Sequence, residues 1–261
     1  MKDSDLQAVV DSYTWFHSMQ FRPNVASSGP KSQAVLVDEA EAFFGPLALH
    51  GHSVLDVGAW NGFFSFESKR RGAGRVLATD SYTWNHPLYR GRGALELARS
   101  ALGLDVETRE VAPHELGKHL GLFDVTLFLG VFYHLINPIP VLFSLREVTH
   151  RLLILETHQD ALNTIHPMMA FYPGATLNGD GTNWWGPNPT LMYHLLTEAG
   201  FERVPYRDHP ICSATSLYPH RRGVYHAFTS ADTSRLEKPG GYGNWLDLSI
   251  EANRSSLVTQ V

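Results

Sequence analysis

The segment from His52 to Asp80, HSVLDVGAWNGFFSFESKRRGAGRVLATD, constrains this chain more than any other. Val54, Leu55 and Val57 form a short apolar run rich in β-branched residues, which suits a strand buried on both faces. Gly58 and Gly62 follow, and Phe63 to Arg71 continues as a helix. A second apolar run, Val76-Leu77-Ala78, ends at Asp80. The whole is one strand–loop–helix–strand unit with a glycine-bearing first turn. Such a turn lets the backbone approach a ligand that a side chain would repel. The acid closing the second strand stands roughly twenty residues beyond the glycines, where folds of this kind hold a pair of ribose hydroxyls. A nucleoside-bearing cofactor is the expected occupant.

The wording of the loop selects among such cofactors. The dinucleotide fingerprint G-x-G-x-x-G needs a third glycine to pack helix against strand. Here Trp60 takes the second glycine position and Phe63 follows Gly62, so a pyrophosphate finds no cradle. Asp56, ending the first strand, would repel one. The pattern V-L-D-V-G-x-x-x-G instead resembles the first motif of class I S-adenosylmethionine (SAM) methyltransferases. That resemblance implies SAM as cofactor, with its amino-acid end wrapped by Asp56, Gly58, Ala59 and Gly62 and its ribose held by Asp80. It also implies that the backbone at Val111 and Ala112 meets the adenine and that Gly130 and Val131 pass under the sulfonium. Trp60 and Trp84 are candidates to stack on the adenosine or line its pocket, with plain packing as the alternative.

Three more segments, TWFHSMQF, LGVFYHLINPI and WWGPNPTLMYHLLTEAGFE, narrow the resemblance. With VLDVGAWNGFFSFE they are similar to a branch holding the tRNA wobble-uridine carboxymethyltransferases and their small-molecule methyltransferase relatives. In that branch G-V-x-Y-H follows the fourth strand and W-x-P-N/T precedes the penultimate helix. The likeness runs from about residue 13 to residue 228 and leaves the acceptor open.

Composition bounds the alternatives. With 261 residues, 43% of them hydrophobic and 18% charged, the chain suits one large α/β domain with additions. A net charge of −5 makes nucleic acid an unlikely partner, since a broad electrostatic footprint needs the opposite sign. Cys212 is the single cysteine, so neither a disulfide framework nor a cysteine metal cluster is expected, and a reducing cytoplasm fits. Met1 to Asp5 is polar and no apolar run reaches spanning length, so no membrane partner is expected. A homodimer is compatible with this composition.

The expected fold is α/β: a seven-stranded, mostly parallel Rossmann-like sheet of the class I methyltransferase type. Residues 1–50 form a helical cap, with one helix over 1–20 and another reaching Phe44. Residues 51–230 form the core, with strands near 54–57, 76–80, 106–111, 123–129, 152–156, 201–206 and 224–229. A lid is inserted after the fifth strand at 157–189, long and rich in Gly, Pro and aromatics, as binding loops are. A tail of unplaced structure covers 231–261.

His134 is the leading catalytic candidate, because it follows Tyr133 at the carboxyl end of a central strand, where open sheets place ligands. Histidine takes a proton near neutral pH, as an oxygen or nitrogen acceptor requires. Its alternative role is to fix the loop by hydrogen bonds. His17 and His158 are the next candidates, and Tyr133 can position a proton. Phe16, Trp184 and Trp185 are assigned to the acceptor wall, and Arg22 and the Arg221–Arg222 pair to an acidic group, with a solvated turn as the alternative for the pair. The remaining histidines show no metal spacing, and only His158–Asp160–His166 clusters at all, so no metal is assigned. The expected function is SAM-dependent methyl transfer to an oxygen of a small, ring-containing metabolite. Two alternatives remain open: carboxymethyl transfer to a tRNA uridine from a carboxylated SAM, and a silent SAM-binding subunit.

Overall fold

A computed structural model describes residues 1–210 and 221–249. Cys212 and the end of the tail lie outside the described residues. The chain divides into two compact units, Met1–Glu115 and Leu116–Val261.

The first unit runs α1 (Asp3–Asp11), β1 (Gln20–Arg22), β2 (Val25–Ala26), α2 (Gln33–Phe44), β3 (Ser53–Val57), α3 (Phe63–Arg70), β4 (Arg75–Asp80), α4 (Tyr82–Asn85), α5 (Gly91–Leu102) and β5 (Glu107–Glu110). Strand β4 pairs in parallel with β3 on one side and β5 on the other. Val54, Leu55, Val57, Val76, Leu77 and Ala78 are all buried, as their continuous apolar runs require. Helix α2 begins at the Ser32 cap, whose hydroxyl accepts the Val35 N–H, and buries Leu36, Ala40, Phe43 and Phe44.

Helix α1 is shorter than the expected 1–20. Its last carbonyls are claimed early: Ser12 Oγ donates to the Val9 carbonyl at 2.7 Å and the Trp15 indole to that of Val10 at 2.8 Å. Phe16 N–H is then taken by Asn61 Oδ1 at 2.8 Å, which draws the chain out of the helix and into the β1–β2 hairpin. Tertiary hydrogen bonds outcompete the helical spacing here.

The second unit runs β6 (Phe123–Leu129), α6 (Pro138–Val148), β7 (Thr149–Gln159), β8 (Met169–Phe171), β9 (Trp185–Pro187), α7 (Pro189–Glu198), β10 (Pro205–Asp208), β11 (Arg221–Phe228) and β12 (Leu246–Asp247). Its strands lie in the order β12-β10-β11-β7-β6. Only β6–β7 is parallel in this unit; β7–β11, β11–β10 and β10–β12 are antiparallel. Strand β7 outruns the expected 152–156, because β11 pairs with it from Gln159 to Leu152. The expected strand at 201–206 begins only at Pro205; before it, Arg203 makes a lone bridge to Phe228. Strand β12, a two-residue strand from the tail, pairs Leu246 with Tyr206. The inserted 157–189 segment carries its own hairpin, β8–β9. Among the described residues, no helix is long and apolar enough to cross a membrane.

Candidate functional site

In the first unit the β3–α3 loop is shaped by backbone rather than side chains. Gly58 and Gly62 have φ of 81° and 84°, and Trp60 between them has φ of 49°. A non-glycine residue in this left-handed region costs about 1–2 kcal/mol. Three contacts hold it there. Trp60 N–H donates to Asp80 Oδ2 at 3.0 Å, and the Trp84 indole donates to the Trp60 carbonyl at 2.9 Å. The Trp60 ring stacks on Phe16 at 4.3 Å with 8° between planes. A Cβ on Gly62 would come within 2.9 Å of Leu95, so the helix also needs a glycine there for close packing.

Asp56 and Asp80 are both buried. Burial pushes the Asp56 carboxyl up to about 7, against the Ser65 hydroxyl that donates to it at 2.6 Å, and the Asp80 charge adds to the rise. Burial also raises the Asp80 pKa, opposed by the N–H groups of Trp60 and Thr83, the latter at 3.0 Å from Oδ1.

The residues present fit SAM. Asp80 accepts, as a ribose requires, and the indole nitrogen of Trp60 and the amide nitrogen of Asn61 are buried donors without a partner, as a ligand carboxylate requires. Val111 N–H bonds the Asp80 carbonyl at 3.2 Å and Ala112 N–H bonds Glu115 Oε2 at 2.8 Å, so both amides are already used within the unit. Trp84 is buried with its indole committed to Trp60. His17 is buried too, and burial followed by the Lys31 charge keeps its pKa well below the ordinary value. Arg22 bonds Asp3 at 2.9 Å.

In the second unit, Gly130 at the end of β6 has φ of 71° and donates to the Glu156 carbonyl at 3.0 Å. The turn Phe132–His134 follows, with Val131 capping it. Glu156, buried on β7, takes both arms of the Arg222 guanidinium, with Nη2 to Oε2 at 2.7 Å. The same Nη2 donates to the Tyr133 hydroxyl at 3.0 Å. Burial works against the Arg222 charge, but Glu156 and Tyr133 outweigh it and hold the guanidinium above its ordinary range. Burial raises the Tyr133 pKa, so its phenol stays protonated. Of the Arg221–Arg222 pair, Arg221 is exposed at the start of β11 and Arg222 is the one built into the cluster.

Tyr133 gathers two candidate bases: its ring lies 4.3 Å from that of His134 and 6.4 Å from that of His158. His134 Nδ1 lies 3.1 Å from the Thr182 carbonyl and 2.9 Å from its hydroxyl. Burial lowers the His134 pKa, so the ring is neutral at pH 7. His158 Nε2 lies 3.0 Å from the Tyr172 hydroxyl, which itself donates to Asp160. Trp184 N–H donates to the Tyr133 carbonyl at 2.8 Å, and Phe171 packs on both tryptophans. Asn61, Glu156, Tyr172, Asp180, Thr182 and Arg222 are functional candidates that the sequence reading passed over or undervalued. Only Glu156 carried a signal: an acid inside LLILETH must find a buried partner. Among the described residues, no group of three or more His, Cys, Asp or Glu is placed to hold a metal ion.

No protein-family profile matches the chain. Two curated proteins match, each a tRNA U34 carboxymethyltransferase. That of Chromohalobacter salexigens is 29% identical over 187 residues, covering 70% of this chain and 53% of its own length. That of Ectopseudomonas mendocina is 30% identical over 189 residues, covering 70% and 54%. The chain thus spans about half the length of the curated relatives it matches. Among solved structures, the N-terminal domain of EvdMO1, in the presence of S-adenosylhomocysteine (SAH) and D-fucose, has a TM-score of 0.63 at 19% identity, over 88% of this chain and 97% of that one. Magnesium protoporphyrin IX methyltransferase (ChlM) from Synechocystis PCC 6803 with bound SAH has a TM-score of 0.53 at 18% identity, over 74% and 80%.

Proposed function

We propose that this chain, a distant homologue of the tRNA U34 carboxymethyltransferases with the class I methyltransferase fold, moves a methyl group from SAM to an oxygen of a small, ring-containing metabolite. The observation that carries the reading is the pairing of Asp80 with the loop: a buried acceptor for hydroxyls, fixed by the N–H of a residue held at positive φ. SAM bound there supplies an electrophilic methyl on a good leaving group. The chain's own task is then to orient the acceptor and exclude water. Trp184 and Trp185 offer ring faces for that purpose, and the neutral His134 takes a proton.

The relatives' printed activity favours a second reading, carboxymethyl transfer. It needs a cation for the extra carboxylate, and Arg222 is the built candidate. Its charge is, however, matched by Glu156 in a buried pair, so an incoming carboxylate would have to displace a resident one. Methyl transfer asks for no such exchange. Native mass spectrometry of the purified full chain tests all of this. Retained SAM or SAH supports methyl transfer, retained carboxylated SAM moves the assignment to the second reading, and failure to bind any of them on addition ends both.

A further inference from the structure

His134 Nδ1 faces two oxygens of one residue, the carbonyl of Thr182 at 3.1 Å and its Oγ1 at 2.9 Å. A carbonyl only accepts, so it calls for a proton on Nδ1. A hydroxyl can act either way, but this one lies 2.7 Å from Asp180 Oδ1. A carboxylate only accepts as well, so the hydroxyl hydrogen goes to Asp180 and Oγ1 turns its lone pairs toward the ring. The same carboxylate oxygen takes the Thr182 N–H at 2.8 Å, which fixes the residue on both sides. Every constraint on the ring points one way: Nδ1 carries the hydrogen, and Nε2 keeps its lone pair.

We propose that Asp180 and Thr182 are positioning residues that hold His134 as its Nδ1–H tautomer, so that Nε2 is the basic atom offered to the acceptor. The tautomer stands on its own; its use in transfer rests on the methyltransferase reading. In that step the acceptor O–H proton passes to Nε2 while the oxygen bonds the methyl carbon. The electrons of the breaking S–C bond return to sulfur, leaving neutral SAH and a protonated His134.

His158 makes the contrast. The Tyr172 hydroxyl gives its hydrogen to Asp160, so its oxygen accepts from His158 and the proton sits on Nε2. The two histidines around Tyr133 are thus held in opposite tautomers by the same inserted segment. That segment is clasped to the turn bearing His134 by Trp184 N–H on the Tyr133 carbonyl. The piece of chain that carries the aromatic wall therefore also sets which nitrogen is basic.

The test is a long-range proton–nitrogen correlation spectrum of the full chain labelled with ¹⁵N-histidine, with His134 assigned by its loss in His134→Gln. The wild type and Thr182→Ser should show a proton-bearing Nδ1 and a bare Nε2. Thr182→Val takes away one of the two oxygens and Asp180→Ala frees the residue that carries both, so each should move both nitrogens part of the way toward the average of a tautomer mixture. An Nε2–H ring in the wild type overturns the proposal, as does an unchanged ring in both variants. Calorimetry with SAM on the same samples separates the two ideas. SAM binding with the wrong tautomer sinks this inference alone, and the right tautomer without SAM binding sinks the functional reading alone.

Discussion

At the scale of single residues, burial changes the chemistry of Asp56. Its carboxyl is raised from 3.8 to about 7, so ionising it in the folded protein opposes folding. The unfolded chain releases this proton at lower pH than the folded one, so stability falls as pH rises from about 4 to 7 and stays low above that. Asp56→Asn keeps a hydrogen-bond partner for Ser65 and removes the penalty. It should raise the unfolding free energy at pH 8 by on the order of a few kcal/mol, read as a higher melting temperature, and leave both nearly unchanged at pH 4. An equal loss of stability at both pH values would show that the carboxyl is not strained. Asp80 is the complementary case, since its value lies in what it accepts. Asp80→Ala should weaken SAM binding about tenfold by removing a charge-assisted contact to ribose hydroxyls; calorimetry giving the wild-type affinity, with the protein folded, would reassign the ribose. His134→Ala should lower kcat by at least about a hundredfold with SAM affinity near wild type, because a positioned base contributes ~10²–10⁴-fold. A variant that keeps most of its kcat would pass the role to another group. Asp56, Gly58, Gly62 and Asp80 were legible because their types and spacing lie within one short unit. The pairing of Arg222 was not, because its partners Glu156 and Tyr133 lie 66 and 89 residues away.

At the scale of elements, the buried strands announced themselves and the bridging pieces did not. Leu152 to Leu155 are fully buried, and such a run reads as a strand whatever surrounds it. Strands β8, β9 and β12 have two or three residues each, too few for any period to show. Helix α1 was overextended for the opposite reason: a helical period continued past the point where Trp15 and Asn61 take over. The β8–β9 segment is the element from which closure is expected. Phe171 is 52% exposed while packing on Trp184 and Trp185, and Gly174 and Gly179 are at positive φ with open space where a Cβ would stand. Such positions absorb hinge rotation at little steric cost. Hydrogen exchange should slow over Phe16–Ser28 when SAH binds, because Phe16 stacks on Trp60, and over Phe171–Pro187 when an acceptor is added. Protection confined to His52–Asp80 under both conditions would rule out a lid.

At the scale of the whole molecule, charge bears on the kind of acceptor proposed for this chain. Its matched relatives carry tRNA in their names, yet this chain has 26 acids against 21 lysines and arginines. Many of those cations are already spent locally. Arg75 pairs with Glu107, Arg99 with Glu96, Arg151 with Asp124, Arg203 with Glu237 and Arg222 with Glu156. An RNA surface works by neutralising several phosphates at once and releasing their counterions, which gives a salt slope of about −0.7 per contact on single strands and −0.9 on duplex. A chain with paired cations and a net charge of −5 has few contacts to offer. Filter binding of total tRNA at about 0.15 M salt should therefore give no affinity tighter than the ~10⁻⁴–10⁻⁶ M of non-specific association. The logarithmic salt slope should be shallow, on the order of one or two phosphates. Nanomolar binding with a slope of several would mean that a basic face is assembled despite the composition, and the acceptor would then be a tRNA rather than a metabolite. A small, neutral or weakly charged ring compound, the acceptor proposed above, needs none of that field, only ring faces such as those of Trp184 and Trp185 and a basic nitrogen such as the one proposed for His134.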